Sequence, residues 1–131
     1  MSIAIGLKGE AHTVVTEHNT AQAMGSGSLP VFATPAMAAL MEQAAYTSLL
    51  PCLDPGQGSV GISLSLSHVS ATPVGMNVRA ESLVTEIDGK KITFSVSAYD
   101  DTGLIGEGTH QRFLIDNDRF LAKANGKKAV Q

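Results

Sequence analysis

One long segment with helical character, residues 34–50, precedes several segments in which apolar and polar residues alternate. The segment opens on Thr34-Pro35, a hydroxyl residue followed by proline, which predicts a helix with Thr34 as its N-cap. Apolar residues, many of them alanine, occur almost all round this 17-residue segment, so we expect a helix that is buried on most sides. A chain with one such helix needs a sheet to cover it.

The alternating segments predict β-strands. From Val60 to Leu66 apolar residues, Ile62 among them, recur at every second position, which is typical of a strand with one face on the core. His68 continues the apolar phase, so we expect its imidazole to point towards the helix. The other predicted strands cover about residues 11–16, 76–86, 91–99 and 104–115.

Short turn signals at Asp88-Gly89 and at residues 100–103 predict hairpins, and hence a meander of four antiparallel strands after the helix. We therefore expect an α+β fold in which a long central helix is wrapped by a curved antiparallel sheet of about five strands. A short helix at about residues 118–124 would follow the last strand.

The chain is long enough for one ordinary core, so residues 1–131 are expected to form a single domain. The Gly/Ser-rich stretch within residues 19–33 predicts a flexible loop, interpreted either as a plain connector or as a lid, and residues 125–131 predict a frayed tail.

Composition argues against several classes of function. Nine Lys and Arg against twelve Asp and Glu give a net charge of -3, which offers no broad basic surface for nucleic acid. Cys52 is the only cysteine, so neither an intramolecular disulfide nor a cysteine metal cage is expected, in keeping with a cytoplasmic location. Neither a secretory signal nor a membrane span is recognisable.

Between Asn19 and Val78 only three residues ionise near neutral pH: Glu42, Asp54 and His68. A carboxylate within an apolar helix and an imidazole on an apolar strand face lose hydration, so Glu42 and His68 are candidates for function rather than stability. Each also has a structural interpretation, as a hydrogen-bonded carboxylate and a strand-end histidine. With Asp54 they do not form a recognised metal-ligand spacing, so no metal is expected.

Five stretches in this order resemble the hot-dog-fold thioesterases related to fluoroacetyl-CoA thioesterase. They are Val31-Phe32-Ala33-Thr34-Pro35, Leu40-Met41-Glu42, residues 55–61 (PGQGSVG), residues 68–75 (HVSATPVG) and residues 105–112 (IGEGTHQR). The resemblance extends from about Val31 to Lys123 and implies hydrolysis of the thioester of a small acyl-CoA.

The resemblance implies a catalytic set of Thr34, Glu42 and His68, because all three residue types match at the family's spacing. It places Gly61 against the substrate carbonyl and, more loosely, Arg112 near the active site or the pantetheine path. It further implies a homodimer, possibly paired into a tetramer, in which two sheets join edge to edge with the active sites at the interface.

Coenzyme A would enter as part of the substrate, so no separate cofactor is expected. Its phosphates have several candidate partners without a preference among them: Lys90, Lys91, Lys123, Lys127 and Lys128. The resemblance fails in the lid, where the family's phenylalanines are replaced by residues 25–30 (GSGSLP), so specificity for a fluoroacetyl group is not expected.

Two other functions remain open from the sequence. A hydratase or dehydratase on the same fold would also use a histidine and a carboxylate, but would leave the thioester intact. A non-catalytic module that binds or senses acyl-CoA would need neither residue for chemistry, since a fold does not dictate its function.

Overall fold

The structure is a computed structural model that describes residues 2–129. Its elements in chain order are β1 (Lys8–Val14), α1 (Ala21–Met24), α2 (Thr34–Leu49), β2 (Gln57–His68), β3 (Asn77–Asp88), β4 (Lys91–Asp100), β5 (Gly103–Asp116) and α3 (Asn117–Asn125). The predicted α+β class, the single long helix and the five strands are confirmed.

The five strands form one antiparallel sheet in the order β1-β3-β4-β5-β2. The predicted meander of four strands is wrong for β2, which pairs along its length with β5 and not with β3. Eight residues, 69–76, join β2 to β3 across one end of the sheet. They span about 26 Å when extended, which exceeds the roughly 14 Å between strands three places apart. β2 is therefore an edge strand, and its outer side has no neighbour within the described chain.

Helix α2 packs on one face of the curved sheet, mainly over β1 and β3. Its buried residues form one face: Met37, Leu40, Met41, Ala44, Ala45 and Leu49. The expectation that the helix is buried on most sides is wrong for this chain alone, because Ala39, Gln43 and Tyr46 are exposed. The sheet covers only one side of the helix and leaves the other side open above β2.

A β-bulge breaks the alternation of β2. The register with β5 shifts between Gly61 and Ser63, so Ile62 lies outside the pairing. The prediction that Ile62 faces the core is wrong: half of its surface is exposed, and Gly61 faces the helix instead. From Leu64 onwards the predicted phase holds, which turns His68 towards the start of α2.

Residues 19–33 are partly regular. Thr20 caps α1 by accepting a hydrogen bond from the Ala23 amide, and Gly25 ends it in the left-handed conformation (φ 73°). Isolated bridges join Thr20 to Phe32 and Val31 to Pro73, so the segment leading into α2 is held against the loop after β2. Of the predicted tail, residues 126–129 form a 3-10 turn and residues 130–131 lie outside the described residues.

Candidate active site

The first residue of α2 and the last residue of β2 meet at one end of the sheet. Oγ1 of Thr34 lies 2.7 Å from Nδ1 of His68, a hydrogen bond in which either atom donates according to the imidazole tautomer. The Val69 amide donates to the carbonyl of Ile105 at 2.7 Å, so the backbone directly after His68 is anchored to β5. A hydroxyl and an imidazole are thus held in direct contact, and both belong to the set that the resemblance implied.

Thr34 does not serve as the helix cap that its sequence context predicts. The N-cap is Ala33, which has an extended backbone (ψ 141°) and a carbonyl that accepts the Met37 amide. Thr34 is the first helical residue and Pro35 the second, so the hydroxyl has no capping bond to make. This geometry leaves the Thr34 hydroxyl to the imidazole.

The second ring nitrogen of His68 is unsatisfied. Nε2 is buried and has no hydrogen-bond partner among residues 2–129. Burial lowers the pKa of His68 below its ordinary value of 6.5, and a backbone interaction with Ser70 offsets part of that effect. A buried polar atom without a partner is unusual in a folded protein, so Nε2 is available to a further hydrogen-bond partner.

An open cleft of about 300 Å³ adjoins the pair. Its lining includes Thr34 and His68 together with small or apolar groups from residues 21–32 and from the loop after β2, namely Ala21, Ser26, Val31, Phe32, Val69, Ser70 and Ala71. Residues of the segment 19–33 therefore form part of the wall of this cleft.

Glu42 lies elsewhere, on the open side of α2. One of its carboxylate oxygens, Oε1, lies 3.8 Å from Nη1 of Arg112, and its side chain is 44% exposed. The expectation of a desolvated carboxylate is therefore wrong for one chain. A Cβ added to Gly61 would lie 2.8 Å from Oε1, so glycine lets this strand pass beneath the carboxylate without displacing it.

Arg112 is held by several groups of the β2–β5 ladder. Its guanidinium donates from Nε to the Ser59 hydroxyl at 2.9 Å and from Nη2 to the Ser59 carbonyl at 3.1 Å. It also lies 5.8 Å from the ring of Tyr46, and burial lowers its pKa below the ordinary value of an arginine. The sequence placed Arg112 only loosely, whereas the structure places it beside Glu42 and Gly61.

His110 is a site neighbour that sequence analysis did not single out. Its ring is buried, and Nδ1 lies 2.8 Å from the Ser63 carbonyl while Nε2 lies 3.2 Å from Nη1 of Arg112. A spacing of two residues from Arg112 on one strand was the available signal, but the pairing of β5 with β2 that gives the spacing its meaning was not predicted.

The predicted catalytic set thus forms two groups within one chain. Glu42 follows Thr34 by eight helical residues, which corresponds to about 12 Å along α2. Thr34 and His68 form the first group, and Glu42, Gly61 and Arg112 form the second. Both groups lie on the side of the molecule that is bounded by the free edge of β2.

Neither a metal cluster nor a membrane helix is found in the described chain. Residues 2–129 contain no group of three or more His, Cys, Asp or Glu side chains arranged to hold a metal ion. None of the helices in that range is both long and apolar enough to cross a membrane.

The fold recurs in solved thioesterases. A variant of the fluoroacetyl-CoA thioesterase in complex with acetyl-CoA superposes with a TM-score of 0.90 at 33% identity, covering 95% of this chain and 98% of the other. A thioesterase superfamily member from Thermus thermophilus gives a TM-score of 0.90 at 29% identity over 97% of this chain and 94% of its own. The structure therefore has the hot-dog fold of acyl-CoA thioesterases.

Sequence comparison gives the family. A family model described as fluoroacetyl-CoA-specific thioesterase matches residues 15–118. The fluoroacetyl-CoA thioesterase of Streptantibioticus cattleyicolor is 39% identical over 97 residues, which are 74% of this chain and 70% of that protein. The chain belongs to the fluoroacetyl-CoA thioesterase family of thioester hydrolases.

Proposed function

We propose that the protein hydrolyses a small acyl-CoA to the free acid and coenzyme A at a site composed of two subunits. Thr34 and His68 of one subunit act together with Glu42, Gly61 and Arg112 of the partner subunit. The observation that carries this proposal is the buried Nε2 of His68, which has no partner among the described residues of its own chain.

The free edge of β2 supports the shared site. An exposed edge strand of 12 residues is a template for pairing with a second strand, and homodimers commonly use such edges around a two-fold axis. If two copies of β2 pair antiparallel with Ser65 of one copy opposite Ser65 of the other, the bulge at Ile62 brings His68 of one copy opposite Gly61 of the other. The carboxylate beside that Gly61 then approaches the unsatisfied Nε2.

The chemistry of a thioester matches these groups. In one route Glu42 takes a proton from water, the water oxygen bonds to the acyl carbon, and the carbon–sulfur bond breaks as the thiolate leaves. In the other route the carboxylate itself attacks and the resulting anhydride is hydrolysed. In both, the Thr34–His68 pair orients the reactants, and the Gly61 amide and the Arg112 guanidinium lie where negative charge develops.

A groove beside the second group offers a place for the nucleotide of coenzyme A. It measures about 410 Å³, and its lining combines cations with two exposed phenyl rings: Lys90, Arg119, Lys123, Phe113 and Phe120. None of these three cations forms an ion pair within residues 2–129. Because Asp116 at the groove follows Arg112 by four residues on β5, the groove is about 13 Å along the strand from the reaction centre.

The shared site is tested by complementation between two inactive variants. Chains carrying His68→Ala and chains carrying Glu42→Ala, each with its own affinity tag, are co-expressed, and the mixed dimer is purified through both tags. With a shared site the mixed dimer keeps one intact site of two and regains roughly half of wild-type coenzyme A release. With a site built from one chain both sites are damaged, and the mixed dimer stays inactive.

The reaction itself is tested by thiol release from a panel of short, branched, aromatic and fluorinated acyl-CoAs. The wild-type protein is expected to release coenzyme A from at least one small acyl-CoA, and Gln43→Ala, next to Glu42 on the exposed helix face, serves as the matched control. Binding without release across the panel would favour the non-catalytic module, and enoyl-CoA turnover with the thioester intact would favour the hydratase.

A further inference from the structure

We infer that His110 is a positioning residue, which acts through Arg112 and the β2 bulge to hold Glu42 and Gly61 in place for thioester hydrolysis. The inference rests on the proposed function, since it names a residue that the same reaction requires. His110 is 1% exposed and does not reach the open site itself.

The hydrogen-bond partners of His110 fix its tautomer. The Ser63 carbonyl only accepts, so Nδ1 carries the proton and donates to it at 2.8 Å. The guanidinium of Arg112 only donates, so Nε2 is unprotonated and accepts from Nη1 at 3.2 Å. Both ring nitrogens are therefore used, and the ring is neutral. Phe94 stacks on it with ring centroids 6.0 Å apart, which leaves the imidazole little freedom to rotate.

The two hydrogen bonds of His110 support two different parts of the site, the Glu42 carboxylate and the segment of β2 at Gly61. The bond to Arg112 orients the guanidinium so that Nη1 also lies 3.8 Å from Oε1 of Glu42. The bond to Ser63 holds β2 directly after its bulge, where Ile62 falls out of the pairing and Gly61 is brought beneath the carboxylate. A neutral histidine with two hydrogen bonds can hold both parts at once because it donates at one nitrogen and accepts at the other.

A purely structural role would explain the burial and the stacking on Phe94, but it does not require an acceptor aimed at a buried arginine. An apolar ring would fill the same space, whereas the Arg112 donor would then be left without its partner. The placement of Arg112, rather than the packing of the core, is therefore the property that distinguishes the two roles.

Two substitutions separate the two bonds. His110→Asn keeps a donor near Nδ1 for Ser63 and removes the acceptor for Arg112, whereas His110→Gln places a carbonyl oxygen near Nε2 and removes the donor. With the acyl-CoA that the wild type hydrolyses best, we expect His110→Asn to lower kcat by about tenfold or more with little change in KM. His110→Gln is expected to retain kcat within about threefold.

A second comparison distinguishes positioning from general damage to the fold. His110→Asn keeps the bond to Ser63 and removes the bond to Arg112, through which His110 acts on Glu42. Adding it to Glu42→Gln should therefore cause no further loss of the residual rate. A further loss of rate in the double variant, or an unchanged kcat in His110→Asn, would overturn the inference. The proposed function would still stand in both cases, because the wild-type protein releases coenzyme A. If the wild type itself releases no coenzyme A, the proposed function fails instead.

The tautomer gives a test that does not depend on a folded variant at position 110. Nitrogen NMR of the histidine-labelled wild-type protein is expected to show His110 protonated at Nδ1 and bare at Nε2. Arg112→Lys should shift the Nε2 resonance. A ring protonated at Nε2, or a resonance indifferent to Arg112→Lys, would contradict the inference.

Discussion

The hydroxyl oxygen of Thr34 lies 2.7 Å from Nδ1 of His68, so the start of the central helix is joined to the end of the edge strand. This contact is possible because Ala33, and not Thr34, caps the helix. Glu42 lies about 12 Å further along the same helix. The Thr34–His68 pair and the Glu42 carboxylate are therefore two separate groups within one chain.

Removing the Thr34 hydroxyl should affect catalysis more than stability. Because the hydroxyl makes no capping bond, Thr34→Val is expected to cost less than about 1 kcal/mol of the free energy of unfolding. It should nevertheless lower kcat by about tenfold to a hundredfold, since the imidazole loses its partner. Thr34→Ser should retain most of the activity. A loss of stability that accounts for the whole loss of activity, measured by denaturant unfolding, would contradict this reading.

Adding one carbon at Gly61 should displace the Glu42 carboxylate. A Cβ there would lie 2.8 Å from Oε1 of Glu42 and 3.2 Å from Cε1 of His110, so the carboxylate has to move. We expect Gly61→Ala to lower kcat by about a hundredfold, as misplacements near 1 Å do in other enzymes. Gly126→Ala is the control, because a Cβ at that position meets nothing within 4 Å. Equal rates in both variants would remove Gly61 from the site.

The lowered pKa values of two histidines predict a loss of stability in acid. Burial lowers the pKa of His110, as it does that of His68, from the ordinary value of 6.5. Facing His110, Arg112 lowers the pKa further, while the Ser63 carbonyl and Glu42 oppose the shift. As pH falls below about 6.5 the unfolded chain takes up protons that the folded chain does not, so the free energy of unfolding decreases.

This dependence is measured as the Tm between pH 7.5 and pH 5. The decrease in Tm should be smaller in His110→Gln than in the wild type, because one titrating group is removed. His18→Gln should follow the wild type, since His18 is exposed and its side chain lies on the surface. If Tm decreases by the same amount in the wild type and in His110→Gln, His110 does not contribute to the pH dependence of stability.

The sequence predicted the parts of the site that depend on local pattern. The alternation of apolar and polar residues along the second half of β2 predicted that His68 faces the helix. The family resemblance paired His68 with Thr34. What it missed depends on tertiary pairing. Turn signals favour pairing between strands that are neighbours in the chain, so the pairing of β2 with β5 was not predicted. The bulge that turns Gly61 towards the helix in place of Ile62 was not predicted either. His110 has meaning only once that pairing is known.

The groove beside the end of β5 gives a prediction about the part of the substrate that does not react. If Arg119 and Lys123 hold the phosphates of coenzyme A, replacing both by alanine should raise KM for acyl-CoA by about tenfold with kcat nearly unchanged, since two charge-assisted contacts are lost. The same variant should hydrolyse the corresponding acyl-pantetheine, which lacks the nucleotide, as well as the wild type does. Lys8→Ala, on strand β1 at the opposite edge of the sheet, is the matched control. Because the lost contacts are ionic, the difference in KM between variant and wild type should also shrink as salt concentration rises. An equal rise in KM for both substrates would mean that the groove shapes the site indirectly and does not bind the nucleotide.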